Sequence, residues 1–364
     1  MTSAAASDPH APGPRPTQGP SWEDVVRVLY EAVLRRREVA DEEVATWAAH
    51  LRAGASLRDV YEAFATSPEA HRVQGTQPSL RRRDAIAPLQ GWAGLAAAGV
   101  VTIVDVGALA LEGEDDVYRP LLDGGRCRVI GFEPLEEERA SRPRRPDGFE
   151  VLPHLLGDGR RRRFHETHWG PTSSLYEPDL ERLAPFEDLA EQCRVAAVRE
   201  VPTTTLDDAL AGATADYLKI DVQGAELDVL RGAEATLADT LALHVEVEFA
   251  PLYRAQPLFD AVFRFLVDRG FELFDLTHLQ RYRYNTGDDG TAPERLLWGE
   301  AVFVPEQQRL DALDEARTLR LVRILHEVYG ATGFCRWLLG RLDGRLGTAH
   351  LDGYRAHLDG AESR

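Results

Sequence analysis

Lysine is almost absent from this 364-residue sequence. Lys219 is the single lysine, and every other one of the 42 basic residues is arginine. Arginine stays charged and presents a planar fork, whereas lysine is a compact ammonium that can lose its proton when it is desolvated. A site that needs such an amine cannot accept arginine, so we interpret Lys219 as a functional residue. The alternative is that Lys219 only forms a structural ion pair.

Cysteine and positive charge are also scarce. The three cysteines, Cys127, Cys193 and Cys335, form neither a metal-binding spacing nor a disulfide framework. This pattern is typical of a reducing cytosol and predicts a cytoplasmic protein. The net charge of −18 argues against binding to nucleic acid or to an anionic membrane surface, because both partners require a basic footprint. We therefore expect neither as a partner.

No membrane-spanning or signal segment is predicted. The first 20 residues are rich in Ala, Pro, Ser and Gly and lack the apolar centre of a signal peptide, so we interpret them as a disordered tail. Arginine and glutamate interrupt every apolar run after Pro305. That last part of the chain, 306–364, shows helical spacing and predicts a helical C-terminal extension with a face for packing or for a homo-oligomer.

The N-terminal part predicts a separate helical domain. Ser21 with Asp24 and Ser56 with Asp59 resemble capping boxes, Asp41 begins another helix, and apolar residues recur at helical spacing after each start. We predict a small helical domain over 21–70 and a linker over 71–79.

From residue 100 onward the pattern changes to short apolar strands that alternate with helical stretches. Seven strands are predicted, beginning at Val100, Cys127, Phe149, Tyr217, Leu241, Phe271 and Ala301. This alternation predicts an α/β fold with a doubly wound, mainly parallel seven-stranded sheet in a domain over 80–305. Parallel strands buried on both faces should be nearly all apolar, so polar residues within them mark candidate sites.

Carboxylates at the ends of the first strands predict a nucleotide-like ligand, because sites in such sheets lie beyond the carboxyl ends of the strands. Asp105 and Gly107 end the first strand, and glycine there lets the backbone approach the ligand. Glu133 ends the second strand and can accept both hydroxyl hydrogens of a ribose. Asp158, after the third strand, is a candidate partner for an adenine amino group.

The ligand is not predicted to be a dinucleotide. The G-x-G-x-x-G pattern of a nicotinamide dehydrogenase is missing after the first strand, although the fold class is shared. The acidic loop over 112–116 would repel phosphate and tolerate a cationic cofactor such as S-adenosylmethionine. A simple tight turn at Gly107 is the alternative interpretation.

Polar residues alternate with apolar residues along two later strands. Lys219 and Asp221 share one face of the first, and His244, Glu246 and Glu248 share one face of the next. Buried charges must be paired, so Lys219 could simply neutralise Glu246 or Glu248. The same residues could also form a catalytic and acceptor-binding cluster, and the two interpretations are compatible.

These motifs together resemble the FkbM family of S-adenosylmethionine-dependent methyltransferases over about residues 100–305. The most specific segment is Lys219-Ile220-Asp221-Val222-Gln223-Gly224-Ala225-Glu226. It is supported, in order, by Asp105–Ala108, Gly131–Pro134, Ser173–Leu175, Thr205–Asp207 and Glu246–Phe249. The helical block over 21–70 resembles a small domain of unknown function that occurs in bacterial surface proteins and beside glycosyltransferases.

The resemblance implies a methyltransferase-type sheet, S-adenosylmethionine as cofactor, and methyl transfer to a hydroxyl of a sugar, glycan or natural product. It implies that Asp105 and Gly107 hold the methionine end of the cofactor, Glu133 its ribose and Asp158 its adenine. Many members carry a second glycine where this chain has Leu111. A catalytically silent binding module of the same fold is therefore the alternative function.

The catalytic residues implied are Lys219, Asp221 and Glu246. Lys219 is a candidate base, or the ammonium that stabilises the forming alkoxide, and the two carboxylates orient Lys219 or the acceptor. These carboxylates could instead bind a divalent cation, since oxygen ligands suit magnesium, and the sequence leaves that choice open. The acceptor side is expected to include Ser173, Ser174 and Glu248.

Overall fold

The computed structural model describes residues 21–34, 39–55, 60, 63–64, 86–108, 116–134, 148–186, 188–286 and 294–362. Several predictions lie outside these residues: the tail over 1–20, the helix start at Ser56, the linker over 71–79, the loop over 112–115 and Leu111. The third predicted N-terminal helix is described only in part, and Val60 and Phe64 in it are buried.

Within the described part of the chain, nine strands form two sheets. They are β1 Val101–Val106, β2 Cys127–Phe132, β3 Phe149–Leu152, β4 Arg161–Thr167, β5 Val195–Pro202, β6 Tyr217–Ile220, β7 Ala242–Glu248, β8 Phe271–Tyr282 and β9 Arg295–Pro305. The main sheet has seven strands in the order β3-β2-β1-β6-β7-β9-β8. Its first five strands are parallel, and β9 runs antiparallel to β7 and β8. The predicted doubly wound, mainly parallel sheet of a methyltransferase is confirmed.

The second sheet is a two-stranded antiparallel pair of β4 and β5 that the sequence did not predict. The residues of β5 are exposed or half-buried, and β4 begins with three arginines, Arg161, Arg162 and Arg163. These charged side chains interrupt the apolar pattern that marks a buried strand, which is why β4 was not predicted.

Strand register places the polar residues of the main sheet in one row. Asp105 of β1 lies opposite Lys219 of β6, and Lys219 lies opposite His244 of β7. One residue pair further along, Glu246 of β7 lies opposite Glu300 of β9. Side chains that are opposite in register point to the same face of a sheet. These residues form a polar row on one face of β1, β6, β7 and β9, at the edge where the parallel strands have their carboxyl ends.

Fourteen α-helices lie within the described residues. They are α1 Trp22–Leu34, α2 Asp41–Arg52, α3 Gly94–Ala98, α4 Arg119–Asp123, α5 Leu180–Leu183, α6 Leu189–Gln192, α7 Leu206–Leu210, α8 Glu226–Arg231, α9 Glu234–Asp239, α10 Phe259–Val267, α11 Gln307–Ala312, α12 Glu315–Tyr329, α13 Thr332–Leu346 and α14 His350–Glu362. The second predicted helix begins at Asp41 as expected. In these described helices none is both long enough and apolar enough to cross a membrane.

Different helices cover the two faces of the main sheet. Val104 and Leu218 pack in one cluster with the N-terminal helices and with α8 and α10. Ile103 and Tyr217, which point the other way, pack in a second cluster with α12 and α13. The polar row shares the parity of this second face, because side chains alternate along a strand. The C-terminal helices therefore lie directly beneath the polar row.

The N-terminal helices contact the main domain. Helix α1 packs against β8, and the guanidinium of Arg264 lies 4.1 Å from the ring centre of Trp22. Val26 and Leu29 belong to the same apolar cluster as the sheet residue Val104. The predicted domain boundary stays a prediction. The structure adds that a buried apolar interface joins the N-terminal helices to the main domain.

Candidate active site

A cavity of about 880 Å³ lies at the carboxyl ends of the parallel strands. The predicted site residues that line it are Asp105, Gly107, Glu133, Ser173, Lys219, Asp221, Glu246 and Glu248. The ends of different strands and the loops after them supply these residues, so the fold brings together residues that are more than a hundred positions apart in the chain.

Asp105 is buried at the end of β1, and only 2% of it is exposed. The hydroxyl of Tyr118 donates a hydrogen bond to its Oδ2 at 2.6 Å. Its Oδ1 has no hydrogen-bond partner and lies 3.8 Å from the Nζ of Lys219. A buried carboxylate oxygen without a donor carries a desolvation cost that a bound cationic group would relieve.

Gly107 marks the closest approach of two chain segments. Its φ is +77°, and a Cβ built there would lie 1.8 Å from the carbonyl oxygen of Asp221. No other residue fits this position, because both the left-handed backbone and the contact exclude a side chain. The glycine therefore allows the ends of β1 and β6 to meet at the floor of the cavity.

Glu133 follows β2 and is 4% exposed. Its backbone N–H donates to the carbonyl of Leu152, which fixes the turn at the end of the strand. His154 follows β3, lines the same part of the cavity and lies 6.4 Å from the ring of Phe132. The sequence analysis missed His154, although its place directly after a predicted strand could have revealed it.

Lys219 pairs with aspartates, not with the glutamates named as alternatives above. Its Nζ donates to Asp221 Oδ2 at 3.3 Å and lies near Asp105, while 17% of its side chain is exposed. Burial lowers the pKa of the amine, but Asp221, Asp105 and Glu300 outweigh this effect and hold the pKa above its usual value. The geometry thus favours an ammonium over a neutral base.

Asp221 and Glu246 are joined through Gln223. The Nε2 of Gln223 donates to Asp221 Oδ1 at 3.0 Å and to Glu246 Oε2 at 2.7 Å. Burial raises the pKa of Asp221, but Lys219 and Gln223 outweigh it and keep the pKa below its usual range. An amide donor occupies the place between the two carboxylates, so the structure does not support a cation bound by this pair.

Gln223 adopts a left-handed φ of 59°, which is costly for a residue with a side chain. Its carbonyl accepts from the hydroxyl of Ser174 at 2.6 Å, and its Oε1 accepts from the hydroxyl of Tyr253 at 3.1 Å. The surroundings therefore hold a strained residue in one position, as is common at functional sites. The sequence analysis had not selected it as a site residue.

Three buried glutamates stand close together beyond Gln223. Carboxylate oxygens of Glu226, Glu246 and Glu248 lie within 4.8 Å of one another. Burial raises the pKa of all three, and mutual repulsion adds to it, so that Glu226 reaches about 8 and the other two lie well above the usual range. Glu226 also accepts hydrogen bonds from the backbone of Val222 and Gly224, so it fixes the β6–α8 loop. We assign no metal to this cluster.

Two predicted residues do not line the cavity. Asp158 is held by Arg162 at 3.4 Å and accepts from the backbone N–H of Arg160, which directs it to the β4–β5 sheet. Ser174 donates to Gln223 and accepts from the backbone of Tyr176. The predicted adenine contact of Asp158 and acceptor contact of Ser174 thus lack geometric support. These two contacts of Asp158 are local, whereas Ser174 is held by a residue 49 positions away.

The far wall of the cavity is aromatic. The rings of Tyr282 and Trp298 lie 4.9 Å apart, and Trp169 is 45% exposed beside them. These residues lie on β8, on β9 and in the loop after β4, and none of them was predicted from the sequence. The cavity therefore has a carboxylate-rich floor and an aromatic wall.

Comparison with known families and structures gives two matches to families. Residues 105–273 match the family described as methyltransferase FkbM domain, and residues 15–73 match DUF4214, a domain of unknown function. No curated protein matches the chain.

Solved structures give weaker likenesses. One is a proposed methyltransferase from Thermoplasma acidophilum, with 10% identity, a TM-score of 0.28, and coverage of 57% of this chain and 70% of that one. Another is the magnesium protoporphyrin IX methyltransferase ChlM from Synechocystis PCC 6803 with bound S-adenosylmethionine. It has 12% identity, a TM-score of 0.27, and coverage of 70% of this chain and 99% of that one.

Proposed function

Because residues 105–273 form a methyltransferase domain of the FkbM family, we propose that the protein is an S-adenosylmethionine-dependent O-methyltransferase. Its acceptor is a hydroxyl of a sugar, glycan or natural product. The observation that carries the proposal is the convergence of Asp105, Glu133 and Lys219 on one cavity at the carboxyl end of the sheet.

The residues of the donor half fit S-adenosylmethionine. The unpartnered Oδ1 of Asp105 suits the ammonium of the methionine end, and Gly107 leaves room for the backbone to approach it. Glu133 suits a ribose diol, since an ionised carboxylate accepts two hydrogen bonds. His154 and Leu155 take the place beside the adenine that the sequence analysis had given to Asp158.

The cofactor, when bound, supplies a methyl group already activated by its sulfonium. The protein then has to align the acceptor hydroxyl and remove its proton. The Lys219 ammonium stabilises negative charge as it develops on the acceptor oxygen. Asp221 and Asp105 keep this amine charged and fix its position.

The acceptor half suits a polyhydroxylated ring. Aromatic side chains offer a flat apolar surface at Trp298 and Tyr282, and the carboxyl groups of Glu246 and Glu248 offer hydrogen-bond partners for hydroxyls. Ser173 lines the same space, although its Oγ accepts from the backbone of Thr167. We further propose a cytoplasmic location, which the three free cysteines favour.

Calorimetry with S-adenosylmethionine tests the donor site. Glu133→Ala should weaken binding by about 1.5–3 kcal/mol, because a hydrogen bond to a charged acceptor is lost. Unchanged affinity would remove Glu133 from the site, and no binding by the wild type would favour a catalytically silent module. A screen with methyl-labelled donor against glycans and polyketide-type hydroxyls then identifies the acceptor.

A further inference from the structure

A carboxylate–imidazole pair borders the cavity, and its carboxylate, Glu300, lies beyond the residues 105–273 that match the family. Glu300 of β9 lines the cavity and its side chain is 16% exposed. Its Oε2 lies 3.1 Å from the Nε2 of His244, which is 1% exposed. Register on the sheet sets Glu300 opposite Glu246 and sets His244 opposite Lys219. The pair thus stands beside the ammonium that faces the acceptor.

Two tyrosines continue this pair into the core. The Nδ1 of His244 lies 2.9 Å from the hydroxyl of Tyr329, the last residue of α12, and that hydroxyl lies 2.7 Å from the hydroxyl of Tyr217. All three residues are buried among apolar side chains of the second cluster. A buried polar network is costly unless each member is satisfied, and it fixes the orientation of its members. The network reaches the cavity through the ion-pair distance between His244 and Glu300, whose Oε2 makes no hydrogen bond.

The other carboxylates of the cavity are poorly suited to accept the acceptor's proton. Asp105 is occupied by Tyr118, and Asp221 is held by Lys219 and Gln223 with a pKa below its usual range. Glu246 accepts a hydrogen bond from Gln223, and both Glu246 and Glu248 belong to the cluster with Glu226, where burial raises the pKa of each carboxyl group. Lys219 is charged and has no free electron pair.

We propose that Glu300 is the catalytic base of the methyl transfer, and that His244 and Tyr329 are positioning residues that orient it. The inference rests on the proposed function. As the acceptor oxygen forms its bond to the methyl carbon, the methyl–sulfur bond breaks and its electron pair stays on sulfur. The hydroxyl proton moves to the Glu300 carboxylate. One sulfonium charge is thereby lost, and one carboxylate becomes a neutral carboxyl group.

The pH dependence follows from the charged groups around Glu300. These groups are Lys219 on β6, His244 and Glu246 on β7, and His278 on β8, all of which line the cavity with Glu300. Tyr329 on α12 lies behind His244. A carboxylate base accepts a proton only in its ionised form, so the rate is expected to fall on the acidic side of the pH profile. Replacing Glu300 with glutamine removes this acidic limb, because glutamine neither accepts the proton nor titrates.

The test compares single-turnover methyl transfer by wild type, Glu300→Gln and Tyr329→Phe over a range of pH, with the acceptor from the screen. Glu300→Gln should lower the rate by about 10²–10⁴-fold and lose the acidic limb, with donor affinity unchanged. Tyr329→Phe should lower the rate less and shift the acidic limb, since it removes one hydroxyl behind His244. The matched control is Glu294→Gln on an exposed residue just before β9, which should behave as wild type.

The possible failures are distinct. If wild type transfers methyl but Glu300→Gln keeps its rate and its acidic limb, the assignment is wrong and the proposed function stands. If Glu300→Gln does not fold, an unshifted pH profile of Tyr329→Phe overturns the assignment. If wild type binds the donor yet methylates no hydroxyl, the proposed function and the assignment both fail.

Discussion

Ionisation of the buried glutamate cluster should make the protein less stable as pH rises. Glu226 is 2% exposed, and its pKa of about 8 compares with an ordinary value of 4.5. Between these two values the folded state holds a proton that the unfolded state has released. The free energy of unfolding therefore falls with rising pH, by about 1.4 kcal/mol per pH unit.

The full effect amounts to about 5 kcal/mol between pH 4.5 and pH 8. This change in the free energy of unfolding is an upper bound. Glu226, Glu246 and Glu248 lie close enough to titrate together, so the loss of one proton changes how the remaining protons are shared. Glu226→Gln keeps an oxygen that can accept from the backbone of Val222 and Gly224. The variant should match wild type near pH 5 and become more stable than wild type by several kcal/mol near pH 8.

Urea unfolding of wild type and variant at intervals from pH 5 to pH 9 measures the difference. The difference in the free energy of unfolding between variant and wild type cancels the contributions of histidines and other groups that titrate in both proteins. Glu181→Gln, an exposed residue of α5, is the control and should show the wild-type slope. Parallel curves for wild type and Glu226→Gln would refute a raised pKa at Glu226.

Three further predictions follow from the donor half and the domain boundary. Lys219→Arg should keep the fold and donor affinity but lose most methyl transfer, because its bulkier fork misplaces the charge; wild-type single-turnover rates would contradict this. Gly107→Ala should abolish donor binding in calorimetry because its Cβ meets Asp221, whereas Gly125→Ala, with open space at φ +69°, should bind normally. A chain beginning at Pro78 should still bind donor but unfold at lower urea, since α1 no longer covers β8; loss of binding would place the helices in the catalytic core.

Much of the main sheet, and several residues that line the cavity, could be predicted from the sequence. Buried parallel strands leave continuous apolar runs, and a polar residue at the end of such a run is conspicuous, as for Asp105, Glu133 and Lys219. The start of β1 was predicted to within one residue, since the strand begins at Val101 and the prediction was Val100. These features are local, so no knowledge of the partner strands was needed.

Pairing between strands could not be predicted in the same way. Alternation on two strands suggested that Lys219 meets Glu246 or Glu248, but register sets it opposite Asp105 and His244. The ion pair of Asp158 with Arg162 could not be predicted, because Arg162 lies on β4, a strand without a continuous apolar run. Glu300 could not be predicted for the same reason. Its imidazole partner, His244, lies 56 positions earlier in the chain, and only the folded sheet brings the two side chains together.

The position of the aromatic wall has a consequence for protein engineering. Tyr282, Trp298 and Glu300 all come after residue 273, whereas Asp105, Gly107 and Glu133 come before it. Exchanging the later segment for that of a relative would replace Tyr282 and Trp298 of the aromatic wall and leave Trp169 and the donor floor intact. Such an exchange would change the preference for the acceptor without changing the binding of the cofactor. The exchanged segment would have to include α12, because this helix packs against the main sheet beneath the polar row.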